Sequence, residues 1–81
     1  MIEVKQAVEE AIQYLRNLPV AADSIPAQVT LEEVELTEDD RYWLITLSYS
    51  DKKLIPRREY KVFKIDAETG KVQAMKIRTV S

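Results

Sequence analysis

The sequence contains no cysteine and no histidine, and only one glycine and three prolines among its 81 residues. Without cysteine there is neither a disulfide framework nor a zinc–thiolate site. Without histidine the commonest metal ligand, the usual general base and the side chain that titrates near neutral pH are all missing. Apolar runs extend only a few residues, far short of the roughly 20 that a membrane-spanning helix requires. Charge of one sign is not in excess: the net charge is −2 with 32% charged residues, an ordinary soluble surface rather than that of a nucleic-acid binder. The opening Met1-Ile-Glu-Val-Lys-Gln6 mixes charges and lacks a basic region followed by an apolar stretch, so no secretory signal is read. A cytoplasmic location is therefore expected for the chain as given, and a secreted or periplasmic one if a leader had been removed.

The residues that are present fall into two periodicities. Over 2–18, Val4, Ala7, Val8, Ala11, Ile12, Leu15 and Leu18 recur every three or four positions, opposite Glu3, Gln6, Glu9, Glu10, Gln13 and Asn17. At about 100° per residue these apolar positions form one stripe of an amphipathic helix. Proline disfavours helical geometry in the residue before it, so Leu18-Pro19 ends the helix. A proline-bracketed linker over 19–26 follows. From there the period becomes alternating, and strands are expected over about 27–36, 41–49, 57–66 and 71–79. In the first, Val29 and Leu31 share one phase and Val34 and Leu36 the other, with Glu32 and Glu33 between, the slip that a β-bulge produces. In the second, Trp43, Ile45, Leu47 and Tyr49 are expected to face the helix. Tyr42, Leu44, Thr46 and Ser48 form a second face that turns polar toward its end and is only partly covered.

One domain over 1–81 is expected, of α+β class: one N-terminal helix packed on one face of a four-stranded antiparallel β-sheet. Its core would comprise Val4, Val8, Ala11, Leu15, Leu18, Val29, Leu31, Trp43, Ile45, Leu47, Phe63, Ile65, Val72 and Met75. The loop Asp66-Ala-Glu-Thr-Gly70 holds two acids and the lone glycine, too few oxygens for calcium and no repeated glycine spacing for a phosphate. It reads as a hairpin turn in which Asp66 bonds local amides and Gly70 is left-handed.

The helix, the aromatic strand around Trp43-Leu-Ile-Thr-Leu47 and the segment Tyr60-Lys-Val-Phe-Lys-Ile-Asp-Ala-Glu-Thr-Gly-Lys-Val72 together resemble the PepSY family. There, too, a strand ends at Asp, a short loop ends at Thr-Gly or Lys-Gly, and a valine opens the last strand. The resemblance implies a non-enzymatic module. Such modules occur in the propeptides of secreted metallopeptidases and in membrane-associated proteins, where they inhibit or bind partners. No peptidase, leader or membrane segment accompanies the motif in this sequence, and the family offers no catalytic residues to carry over.

The remaining clusters admit bland readings beside functional ones. The acids Glu32, Glu33, Glu35, Glu38, Asp39 and Asp40 spread over a strand and a turn, suiting a solvated face better than a calcium loop. The basic run Lys52, Lys53, Arg57, Arg58, Lys61 and Lys64, near Tyr42, Trp43, Tyr49 and Tyr60, suggests either an anionic-ligand platform or charge complementary to the acidic strand. Nucleic acid is the disfavoured partner. Ser50 near Lys52 or Lys53, and the pair Glu9 and Glu10, give no convincing catalytic arrangement. Leu54 and Ile55 either dock a partner or close the core. No catalytic, metal or cofactor site is expected. The expected partner site comprises Tyr42, Leu44, Leu54, Ile55, Arg57, Arg58 and Tyr60, on an exposed sheet face or edge that takes a protein or a second copy, with addition of a partner strand to a sheet edge as the favoured mechanism. The alternative is weak nucleic-acid or anionic-ligand binding through 52–64, and a small-ligand pocket between helix and sheet is a third reading.

Overall fold

The structure, a computed structural model, describes residues 1–17, 29–50 (without the Ser50 side chain) and 58–78. The expectations for Leu18, the 19–26 linker, Lys52, Lys53, Leu54, Ile55 and Arg57 lie outside the described residues. Helix α1 (Val4–Arg16) precedes strands β1 (Thr30–Leu36), β2 (Tyr42–Ser50), β3 (Arg58–Asp66) and β4 (Val72–Ile77). The strands form an antiparallel meander in the order β1-β2-β3-β4, so every neighbour in sequence is a neighbour in space. The helix lies over β2, β3 and β4 on one face. The expected α+β architecture is the one observed.

Packing follows from small residues on the helix. Ala7, Ala11 and Leu15 are fully buried at four-residue spacing against Ile45, Leu47, Phe63 and Ile65. The two alanines bring the helix backbone close to the sheet, and Val8 and Ile12 flank them half-buried. At the helix start, the Ile2 amide donates to the Ala67 carbonyl at 2.7 Å, and the Trp43 indole Nε1–H donates to the Ile2 carbonyl at 3.2 Å. The Ala67 amide in turn donates to the Arg41 carbonyl at 2.8 Å. Both hairpin loops at this end of the sheet are thereby joined to the chain terminus.

Two expected core residues are surface residues. Val4 is 41% exposed and Leu31 45% exposed. Helical side chains lean toward the N-terminus, and at this end it is Ile2, just ahead of the helix, and not Val4 that packs on the core. Leu31 points to the helix side opposite Leu47, but it stands on the edge strand flanking the three that the helix covers. Conversely Ala67, in a loop, is buried at 1% because of the bonds at the helix start.

The expected bulge is present: Leu31 pairs Leu47 and Glu33 pairs Thr46, leaving Glu32 as the extra residue. A second irregularity leaves Gln73 unpaired between Val72 and Ala74 on β4. The hairpin joining β3 to β4 closes with Gly70 N–H on the Asp66 carbonyl (2.8 Å) and Gly70 at φ +77°. A β-carbon built there meets nothing closer than 3.7 Å, so the constraint is backbone conformation and not space.

Two stability predictions follow from these contacts. Gly70→Val should cost more than about 1 kcal/mol in denaturant unfolding, and Gly70→Asn distinctly less, since asparagine tolerates the left-handed region. Equal losses for the two would mean that the positive φ is not the constraint. Trp43→Phe, which keeps the ring but removes the indole donor, should cost about 1 kcal/mol or more.

Candidate functional site

With the helix on one side, the other side of the sheet is the candidate site. Alternation along each strand carries Glu33 and Glu35 of β1, Tyr42, Leu44, Thr46 and Ser48 of β2, Tyr60, Val62 and Lys64 of β3, and Ala74 and Lys76 of β4 onto this outer face. Leu44, Val62 and Ala74, all half-buried, floor an open groove walled by Lys64 and Lys76 on one side and Glu33 and Glu35 on the other. The stems of those long side chains lie beside the apolar floor while their charges stay in water.

Arg78 spans the face. Its guanidinium donates to Glu33 Oε2 at 2.8 Å and to Thr46 Oγ1 at 3.3 Å, linking the end of β4 to β1 across both central strands. Both side chains of the ion pair are nearly half exposed, so the pair contributes at most about 1 kcal/mol. Lys64 Nζ sits 4.2 Å from the centroid of the Tyr42 ring, a cation–π contact between diagonal neighbours. Ser48 Oγ donates to Glu32 Oε2 at 3.0 Å, and Arg58 donates to Thr30 Oγ1 at 2.8 Å. Thr46 and Ser48 are buried, at 3% and 0% exposure, while Tyr42 and Leu44 are half open. The face was expected to turn polar toward its end and to be only partly covered, and its polar end is the more buried one. Arg78 reaches Thr46 and the bulged Glu32 reaches Ser48, so the polar end is the bonded one.

The acids of the connecting loops are engaged with local backbone. The Asp66 carboxylate accepts from the Glu68 amide at 2.8 Å and the Thr69 amide at 3.1 Å. The Thr69 and Glu68 amides hold its pKa below the ordinary 3.8. In the loop joining β1 to β2, Asp39 Oδ1 accepts from the Thr37 hydroxyl at 2.6 Å and the Arg41 amide at 3.1 Å, and its pKa is lowered by these bonds in that order. Among the described residues no three acidic groups converge as metal ligands. On the helix side, the groove between α1 and the β3–β4 hairpin, lined by Gln13, Tyr14, Asn17 and Lys71, is open to solvent.

A one-helix, four-strand meander closed by an Asp-to-Gly hairpin narrows the family. The family model described as "Peptidase propeptide and YPEB domain", PepSY, matches residues 2–76. The chain belongs to the PepSY family. PepSY domains are small non-catalytic interaction and regulatory modules, and this one carries no enzymatic role. Among curated proteins, this PepSY chain is similar to the DNA polymerase II large subunit of Pyrococcus abyssi (strain GE5 / Orsay), with 47% identity over 62 residues. That match covers 75% of this chain but 4% of the polymerase subunit. No solved structure matches the chain. Among the described residues no helix is long and apolar enough to cross a membrane.

Of the residues expected to form the PepSY partner site, Tyr42, Leu44, Arg58 and Tyr60 come together on the outer face. The basic run does not form one patch: Lys61 pairs Leu47 and Ile77 on the helix side, whereas Lys64 lies outward. Sequence reasoning missed Lys76 and Arg78, which complete the basic half of the face. Strand alternation from Val72 would place Lys76 there. Nothing local marks Arg78, whose partner Glu33 is 45 positions away.

The lowered pKa values of Asp66 and Asp39 fix a direction for acid sensitivity. A depressed carboxylate pKa stabilises the fold above the unfolded value, near 3.8, and that contribution is lost as pH falls through the lower folded value. Unfolding midpoints should therefore drop as pH falls below about 4, and Asp66→Asn should shallow that drop while keeping the acceptor. A midpoint independent of pH in this range would remove the two loops from the account.

Proposed function

We propose that this domain is a binding module that holds a protein partner on the outer face of its sheet. The observation that carries the reading is the apolar floor of Leu44, Val62 and Ala74, bordered by opposite charges on the side the helix leaves uncovered. An apolar centre with a charged rim is the usual anatomy of a specific interface. Addition of a partner strand to a sheet edge is the competing mode, and it requires a regular edge. Both edges here are interrupted, β1 at Glu32 and β4 at Gln73, and bulges of this kind discourage strand addition.

The two modes separate with two variants. Because the Arg78 amide donates to the Tyr60 carbonyl, alternation turns the Ile77 N–H outward, away from β3. Ile77→Pro therefore blocks the edge without removing a sheet hydrogen bond, and Val62→Asp spoils the face. Partner capture from the native extract should survive Ile77→Pro and fail with Val62→Asp, and the opposite pattern would assign binding to the edge.

A second reading has one observation in its favour, the similarity to a segment of a DNA polymerase subunit. Arg58, Lys64, Lys76 and Arg78 on the outer face would supply phosphate contacts. The net charge of −2 and the carboxylates of Glu33 and Glu35 on the same face oppose it. Anisotropy of a labelled DNA strand distinguishes the two readings. Each neutralised phosphate of a single strand steepens the log–log salt slope by about 0.7, whereas an apolar interface responds weakly.

A further inference from the structure

The outer face is divided by charge along the strand direction. Its β1 column carries Glu33 and Glu35, with the bulged Glu32 drawn in by Ser48. The β2 column is uncharged and the far columns carry Lys64 and Lys76, while Arg78 starts from the end of β4 and reaches across to Glu33. Asp66, at the end of the basic half, turns its carboxylate to the loop amides Glu68 and Thr69. With Glu33 neutralised by Arg78, Glu35 leaves the β1 side of the face acidic, Lys64 and Lys76 leave the far side basic, and the apolar floor lies between them. A surface of this kind is complementary to itself under one symmetry operation.

We propose that the outer face pairs with the same face of a second copy of this chain, about a two-fold axis parallel to the strands. The inference rests on the reading of this face as the binding surface and names its occupant. An axis along the strands reverses strand order while keeping position along each strand, so β1 of one copy lies over β4 of the other. Glu35 then meets Lys76 of the partner subunit, Glu33 staying on its own Arg78, and the apolar floors meet at the centre. An axis across the strands would lay acid on acid and base on base, and is excluded by that repulsion. Packed sheets lie about 10 Å apart, close enough for these side chains to interdigitate. Four strands about 4.8 Å apart and about 20 Å long offer roughly 400 Å² per copy, about 800 Å² in total, the range of weak, transient interfaces. The dimer is accordingly weak and dependent on concentration.

The test is sedimentation equilibrium on the full chain between about 10 µM and 1 mM, the range suited to a weak complex. Three single substitutions accompany it: Glu35→Lys, Lys76→Glu and, as a milder change, Lys76→Gln. All leave the Arg78–Glu33 and Ser48–Glu32 bonds in place. The wild type should dimerise, each charge-reversed variant should be monomeric alone, and a mixture of the two should recover the dimer. Lys76→Gln should raise the dissociation constant about tenfold, the effect of losing one favourable charge contact. Recovery on mixing proves that both variants are folded and that acid meets base across the interface. A wild type monomeric at every concentration overturns the dimer, as does a dimer indifferent to both reversals or one that mixing fails to restore. A monomeric chain whose partner capture still depends on Val62 would retire the second copy as occupant and leave the binding face standing. Indifference of both measurements to Val62→Asp would retire the face itself.

Discussion

Ile2 is held on both sides of its peptide group, its amide on the Ala67 carbonyl and its own carbonyl on the Trp43 indole. Ala67 is bonded onward to Arg41, so the start of the helix, the β1–β2 loop and the β3–β4 loop are tied at one end of the sheet. The helix leaves this knot already positioned, and Ala7 and Ala11 let it lie close over the strands. Without that anchorage a 13-residue helix of this kind would be marginal, because helices of such length depend on packing for their stability.

The same anchorage determines what remains open. A single helix covers one face of a sheet, and here it covers β2, β3 and β4 on that face. The opposite face keeps an apolar floor that no element among the described residues overlies, braced instead by side chains. Arg78 crosses it from β4 to Glu33 on β1, and Lys64 stacks on Tyr42. These are exposed interactions of modest energy, which suits a surface that exchanges them for a partner's contacts. Bulges at both edges steer association away from the sheet margins and toward the face.

Local patterns carried much of this into the sequence. The slip between Leu31 and Val34 announced the bulge at Glu32, and the Asp66-to-Gly70 segment announced its own hairpin, down to the left-handed glycine. Both are legible because a turn or a bulge depends on residues within about five positions. Val4 and Leu31 were misplaced for the complementary reason: each lies on the apolar stripe or phase of its element, but burial depends on how far a neighbouring element extends. The burial of Thr46 and Ser48 was equally hidden, since it comes from Arg78 and Glu32, residues distant in sequence.

The sequence by itself determined the class of fold, which follows from local periodicity, and the absence of histidine and cysteine chemistry, which follows from composition, while the family was legible as a resemblance of the Trp43 strand and the Tyr60-to-Val72 hairpin. Only the tertiary structure decided which face stays open, that Lys61 leaves the basic run while Lys64 and Lys76 share the outer face, and that Arg78 crosses that face to Glu33. The physical reason is register. The alternation of a strand says which residues share a side, but only the pairing of four strands and the docking of one helix says which sides meet and which are left to solvent.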